Sequence, residues 1–314
     1  MENQKQDERT DTLLHKAYER IKEHQLDQAA AALEEALSTA FDNPHVVTSL
    51  KYVNFWRDRQ SSVSSISGTF ERAEYLLGQW STFDAFVERI GERDESCLYA
   101  LKQHVFGEAL GYYRQLYQQS EERDPELLLR IGRCYKGIGD FERAVRFLQA
   151  ATSERPGDAA ILAELADSFA LVGDTQAAKA FFREAFFVDP QRVDVSTLES
   201  EMIRRLIVKL QEMGLEQALL KEWLPVYGVL FGIFTVKREL RSIEFGRLKQ
   251  AVYSLERELR ERSSDPAVIE PRLINKYFWL IDHFIGVQEE QQKIDEVLLK
   301  IRSLNPKVYH QYTN

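Results

Sequence analysis

Six histidines, His15, His24, His45, His104, His283 and His310, are the first side chains to test for chemistry. No two stand in H-x-x-x-H or H-x-H spacing, and none has a cysteine close by. A metal site drawn from them would have to be assembled across distant helices, so no metal ligand is expected. Asp282 and His283 are adjacent, but neighbours on a helix point in different directions, and a relay needs a nucleophile in place. No G-x-S-x-G occurs. Gly137-Ile138-Gly139 has the glycine spacing of part of a phosphate loop, yet no strand precedes it. Cys97 and Cys134 lie 37 residues apart, in no metal spacing. Each falls in an apolar helical pattern, which reads as a reduced, partly buried thiol; a disulfide is the minor alternative. No catalytic constellation emerges. The expectation is a non-enzyme without cofactor.

The elements that carry these residues are helical. The chain has 314 residues but only eight prolines and fifteen glycines, a composition that favours helix. Lys and Arg number 41 against 50 Asp and Glu, a net charge of −9. Such a chain is a poor general nucleic-acid binder, because phosphate attraction needs concentrated positive charge. The first nine residues contain no apolar stretch, so no secretory signal is expected and the cytoplasm is the expected location, the periplasm applying only if a signal was removed. Residues 223–236 contain no charge, but 14 residues fall short of the roughly 20 a spanning helix needs. They read as a buried or docking helix. Gly228 and Gly232 within them form G-x-x-x-G, read as close helix packing.

The middle of the chain repeats with a period of 34 residues. Ile131 matches Leu165, Tyr135 matches Phe169, and Gly139-Asp140 matches Gly173-Asp174. Ala144 matches Ala178, Leu148 matches Phe182, Ala151 matches Ala185, and Pro156 matches Pro190, without a gap. Each unit reads as two antiparallel helices of about 14 residues around a Gly-Asp turn. The alanines mark where the helices approach closely, and the prolines end the second helix. One such pair cannot bury its apolar face alone, so neighbouring pairs must stack.

This pattern resembles the tetratricopeptide repeat (TPR), whose 34-residue unit carries Leu-Gly-x-x-Tyr, Ala-x-x-x-Phe and Pro. Here Ile131-Gly132-x-x-Tyr135, Ala144-x-x-x-Leu148 and Pro156 stand for them, then Leu165-Ala166-x-x-Phe169, Ala178-x-x-x-Phe182 and Pro190. Leu128 and Leu162 replace the family's first-helix Trp. The resemblance implies an all-α, right-handed α-solenoid of about seven TPR-like antiparallel helix pairs. The expected organisation is a flexible tail at 1–10, degenerate repeats at 11–124, two well-matched repeats at 125–192 and degenerate helical repeats at 193–314. Ala17, Leu26, Ala29, Leu33 and Ala36 fit an early pair. Ala109, Tyr113 and Leu116 fit a further second helix, and residues 193–272 are expected to hold the longest helices.

Some segments allow two readings. The Ser-rich run at 61–67 reads as a solvated connection or as a phosphorylation patch. Ser263 to Pro266 is a helix stop and restart, and Pro271 repeats the signal. Phe181, Phe182, Phe186 and Phe187, like Tyr277, Phe278, Trp279 and Phe284, read as core or as a partner surface.

TPR grooves are lined by positions 2, 5, 9 and 12 of each first helix. Carried over, these are Glu126, Leu129, Arg133 and Lys136, then Ala160, Ala163, Asp167 and Ala170, with Lys51 and Asn54 on the earlier helix. Together with Arg130 one turn away, Lys51, Asn54, Arg130, Arg133 and Lys136 suggest a locally basic, partner-binding strip for an acidic or C-terminal segment of another protein. Ordinary solvated charges are the plainer reading. Glu126 and Asp167 depart from the two-carboxylate clamp of some TPR proteins. The resemblance implies a protein-binding scaffold or adaptor; the alternative is a structural subunit of a larger bacterial assembly such as a motor or secretion complex, with self-association as a further option.

Overall fold

The computed structural model describes residues 2–237 and 239–314, with the side chains of residues 2–5 and 217 outside the described set. Among the described residues there are fifteen α-helices and no strand. They divide into two compact units, Met1–Phe147 and Leu148–Asn314.

The first unit contains α1 (Glu2–Lys22), α2 (Leu26–Thr39), α3 (Pro44–Ser65), α4 (Thr69–Ile90), α5 (Glu95–Gln119), α6 (Pro125–Gly137) and the start of α7 (Phe141–Glu154). Helices α1 and α2 pair through Ala17, Ile21, Ala29, Leu33 and Ala36, all buried. The tail expected at 1–10 is drawn into α1 from Glu2 onward. Gln6 donates to the Thr39 carbonyl and Arg9 pairs with Glu35 at 2.9 Å, so α2 gives that turn something to fold against. Helix α3 runs on through residues 61–65 of the serine run. The reason is tertiary: Val63 is buried, and this overrides the weak helix propensity of serine. An aromatic core joins α3 to α4, with Tyr52 and Phe83 rings 5.3 Å apart and Trp56 stacked on Trp80 at 6.0 Å. The longest helix is α5, with 25 residues, not one in 193–272 as expected. It contains no proline, and Cys97, Leu101, His104, Val105, Ala109 and Tyr113 form a continuous buried stripe along it.

The second unit continues with α8 (Ala159–Leu171), α9 (Thr175–Val188), two 3₁₀ turns at Pro190–Arg192 and Val195–Thr197, α10 (Glu201–Glu212), α11 (Gln217–Leu230), α12 (Ser242–Glu261), α13 (Pro266–Gly286), α14 (Gln291–Leu304) and α15 (Pro306–Thr313). Asp265 caps α13, as the stop-and-restart signal predicts, but Pro271 lies inside that helix and is buried there. The expected G-x-x-x-G contact is also different. Gly232 ends α11 at φ 71°, and a Cβ at Gly228 would strike the Phe234 ring as the chain folds back. These glycines serve a helix end, not a helix pair. The aromatic clusters are internal: Phe182 and Phe186 are buried, and Phe187 lies 4.0 Å from Trp279 between ring centres.

The 34-residue period holds at the level of single hydrogen bonds. Asp124 and Asp158 cap their helices through the amides of Glu126 and Ala160, at 2.9 and 3.0 Å. At the turns, Asp140 N donates to Tyr135 O and Asp174 N to Phe169 O, both at 2.9 Å. Gly139 and Gly173 adopt φ 79° and 89°, a left-handed backbone that costs an L-residue free energy. Ala144 and Ala178 are both fully buried, as are Leu148 and Phe182, Ala151 and Ala185. Even the supporting rings correspond, with Tyr135 stacked on Phe147 at 5.3 Å and Phe169 on Phe181 at 5.5 Å. The same six-residue closure recurs at Gly214 between α10 and α11, at Gln288 between α13 and α14, and at His24 between α1 and α2.

Candidate functional site

The strip residues sit on two helices, α3 and α6, each of which packs against α5. On α3, exposed Lys51 lies 3.9 Å from Glu92, and Asn54 accepts a bond of 3.0 Å from Arg57. On α6, Arg130 is only partly exposed. Its guanidinium bonds Glu74 at 2.6 Å, pairs with Glu126, and lies 5.2 Å over the Phe70 ring. Tyr113 donates its hydroxyl to the same Glu74. Burial pushes the Glu74 carboxyl upward, but the bonds from Arg130 and Tyr113 outweigh it and hold it below the usual range. Arg130 is therefore a neutralised member of a half-exposed network. Lys136 is 2% exposed. The basic strip is shorter than its sequence suggests, because α6 turns Lys136 inward and gives Arg130 two carboxylates. Lys51, Asn54 and half-buried Arg133 remain reachable from solvent.

A second grouping in the first unit was not legible from spacing. His24 and His104 are 80 positions apart, yet their Nδ1 atoms lie 2.8 Å from one another. Their rings stand 4.8 Å apart between centres. Glu108, one turn after His104 on α5, brings Oε2 to 3.9 Å from His104 Nε2. His104 is buried, and burial followed by the neighbouring His24 pushes its pKa down to about 3, so the ring is neutral. His24 takes the turn position that glycine occupies at 139 and 173, and holds φ 62° there. The three residues border a cavity of about 830 Å³ between α3, α4 and α5. Trp56 also lines it, and its buried Nε1 has no hydrogen-bond partner among the described residues. The i, i+4 pair His104 and Glu108 was visible in the sequence; the return of His24 to it was not.

A tetratricopeptide repeat family model matches residues 100–167 and again residues 137–201. Residues 100–201 are tetratricopeptide repeats. The match begins within α5, which supplies the helix carrying Ala109 and Tyr113 before the two well-registered pairs. No curated protein matches the chain. Repeats of this family generally mediate protein–protein interaction and are typically non-enzymatic. No helix among the described residues is long and apolar enough to cross a membrane.

On the second of these repeats the groove positions meet the chain itself. Asp167 of α8 is fully buried and accepts 2.8 Å bonds from the amides of Glu199 and Ser200. Thr197 donates to Glu164, and Arg192 pairs with Asp158 at 3.0 Å. Val193 and Leu198 are buried in the same cluster as Ala159, Leu162, Ala163 and Ala166. Where a third repeat in register would begin a helix, residues 190–200 instead form a clasp across α8. Further along this unit, Lys276 donates 2.6 Å to the Phe187 carbonyl, and burial pulls its pKa down to about 8. It borders a second cavity, of about 530 Å³, with Glu222 and Arg272.

Proposed function

We propose that the protein is a non-enzymatic scaffold or adaptor that captures an acidic segment of another protein through the α3 and α6 face of its first unit. The observation that carries this is the pair of tetratricopeptide repeats with matching skeletons and unlike faces. Lys51 and Arg133 supply positive charge and Asn54 an amide, a set suited to carboxylates. Arg130 acts on this face by positioning Glu74 and Glu126, not by meeting the partner. The partner is a protein rather than nucleic acid, because the chain carries a net charge of −9. The cytoplasm is the proposed setting, supported by two buried, unpaired thiols.

The test is crosslinked pull-down from the native cell, followed by affinity measurement with the partner it names. Lys51→Glu combined with Arg133→Glu should weaken that affinity at least tenfold and flatten its salt dependence. Unchanged affinity and unchanged salt slope, with helicity intact, would remove the α3 and α6 face from the proposal. Size-exclusion chromatography with light scattering separates this reading from a self-assembling subunit, which would elute as an oligomer.

A further inference from the structure

We propose that His24, His104 and Glu108 form a divalent transition-metal site, of zinc-binding type, that opens into the cavity between α3, α4 and α5. This is independent of the partner-binding reading. Two imidazoles and one carboxylate are a donor set that suits zinc and its neighbours better than magnesium or calcium. One ligand atom from each residue lies within 4.8 Å of the others. The two Nδ1 atoms are 2.8 Å apart, close to the roughly 3.3 Å that separates two donors on one tetrahedral zinc. That short approach is a hydrogen bond only while one nitrogen carries a proton and the other offers its lone pair. A divalent ion would take both lone pairs in place of that proton, with the rings turning and parting by about 0.5 Å to meet it. Glu108 Oε2 lies 3.9 Å from His104 Nε2, the other ring nitrogen, so binding requires its half-buried side chain to swing toward the Nδ1 atoms, or the His104 ring to flip.

The supporting structure is specific. His24 stands at the turn position where Gly139, Gly173 and Gly214 provide a left-handed backbone without cost. A histidine there accepts a strained backbone and in return points its ring at His104. His104 and Glu108 are fixed one turn apart on α5, which is rigid and well packed. Three protein donors leave a coordination position open, and the neighbouring cavity gives it room. Neutral imidazoles and one carboxylate leave the ion with a net positive charge, so the open position suits water or an anionic oxygen.

The experiment uses the full chain stripped with chelator and titrated with Zn²⁺ alone, by equilibrium dialysis and calorimetry. Co²⁺ serves as a second probe through its visible absorption. The expected result is one ion per chain, with affinity lowered at least tenfold by His24→Asn and again by Glu108→Gln. Asparagine tolerates the left-handed turn, so His24→Asn keeps the fold while removing the ring; circular dichroism checks this. Absence of saturable uptake, or uptake equal in wild type and both variants, would overturn the site.

Discussion

Six residues before the Gly-Asp turn, α6 carries Arg133 and α8, 34 positions on, carries Asp167. Their helices begin with the same aspartate cap and end with the same amide-to-carbonyl closure. Yet Arg133 remains partly accessible, while Asp167 is consumed by two backbone amides of residues 199 and 200. The skeleton of a repeat and the chemistry on its face are thus set separately. Alanines, glycines and aromatic supports fix the first, and single polar substitutions rewrite the second.

The largest expected effects probe the shared skeleton. Leu148→Ala and Phe182→Ala should each cost about 2–5 kcal/mol by chemical denaturation, because both side chains are fully buried at the same repeat position. A large cost at one and almost none at the other would break the equivalence. The next effect sharpens the contrast between faces. Asp167→Ala strands two amide donors and should cost about 2–4 kcal/mol, whereas Arg133→Ala should cost under about 1 kcal/mol. Equal costs would mean that Arg133 is as structural as its counterpart.

A third effect concerns pH. Lys276 has its pKa lowered from 10.5 to about 8 by burial, so its charged form is disfavoured in the folded state. Between about pH 8 and 10.5 the unfolded chain holds a proton that the folded chain has released. Stability contributed by this group therefore rises with pH across that window. Melts of Lys276→Met should lose that rise relative to wild type; parallel curves would show that Lys276 keeps an ordinary pKa.

Much of the fold was legible because the repeat writes its sharpest constraints in residue types. Gly139 and Gly173 supply positive φ without steric cost, and Ala144 and Ala178 allow close approach. What the sequence obscured followed from tertiary context. Val63 draws a serine run into α3, and Pro271 is held inside α13 by the packing around it. The candidate partner site was legible in its helices but not in its charges. Glu74 reaches Arg130 from 56 positions away, and the burial of Lys136 depends on surroundings that its own helix does not encode. The grouping of His24 with His104 needed the fold as well, since no short motif spans them.

The repeat equivalence is tested most directly by enlarging the two matched alanines. Ala144→Leu and Ala178→Leu, made separately and followed by denaturant unfolding, should each destabilise the protein by about 1–3 kcal/mol and agree with one another within about 1 kcal/mol. One substitution tolerated without loss while the other disrupts folding would show that the two positions lie in different surroundings, and the shared skeleton would fall with it.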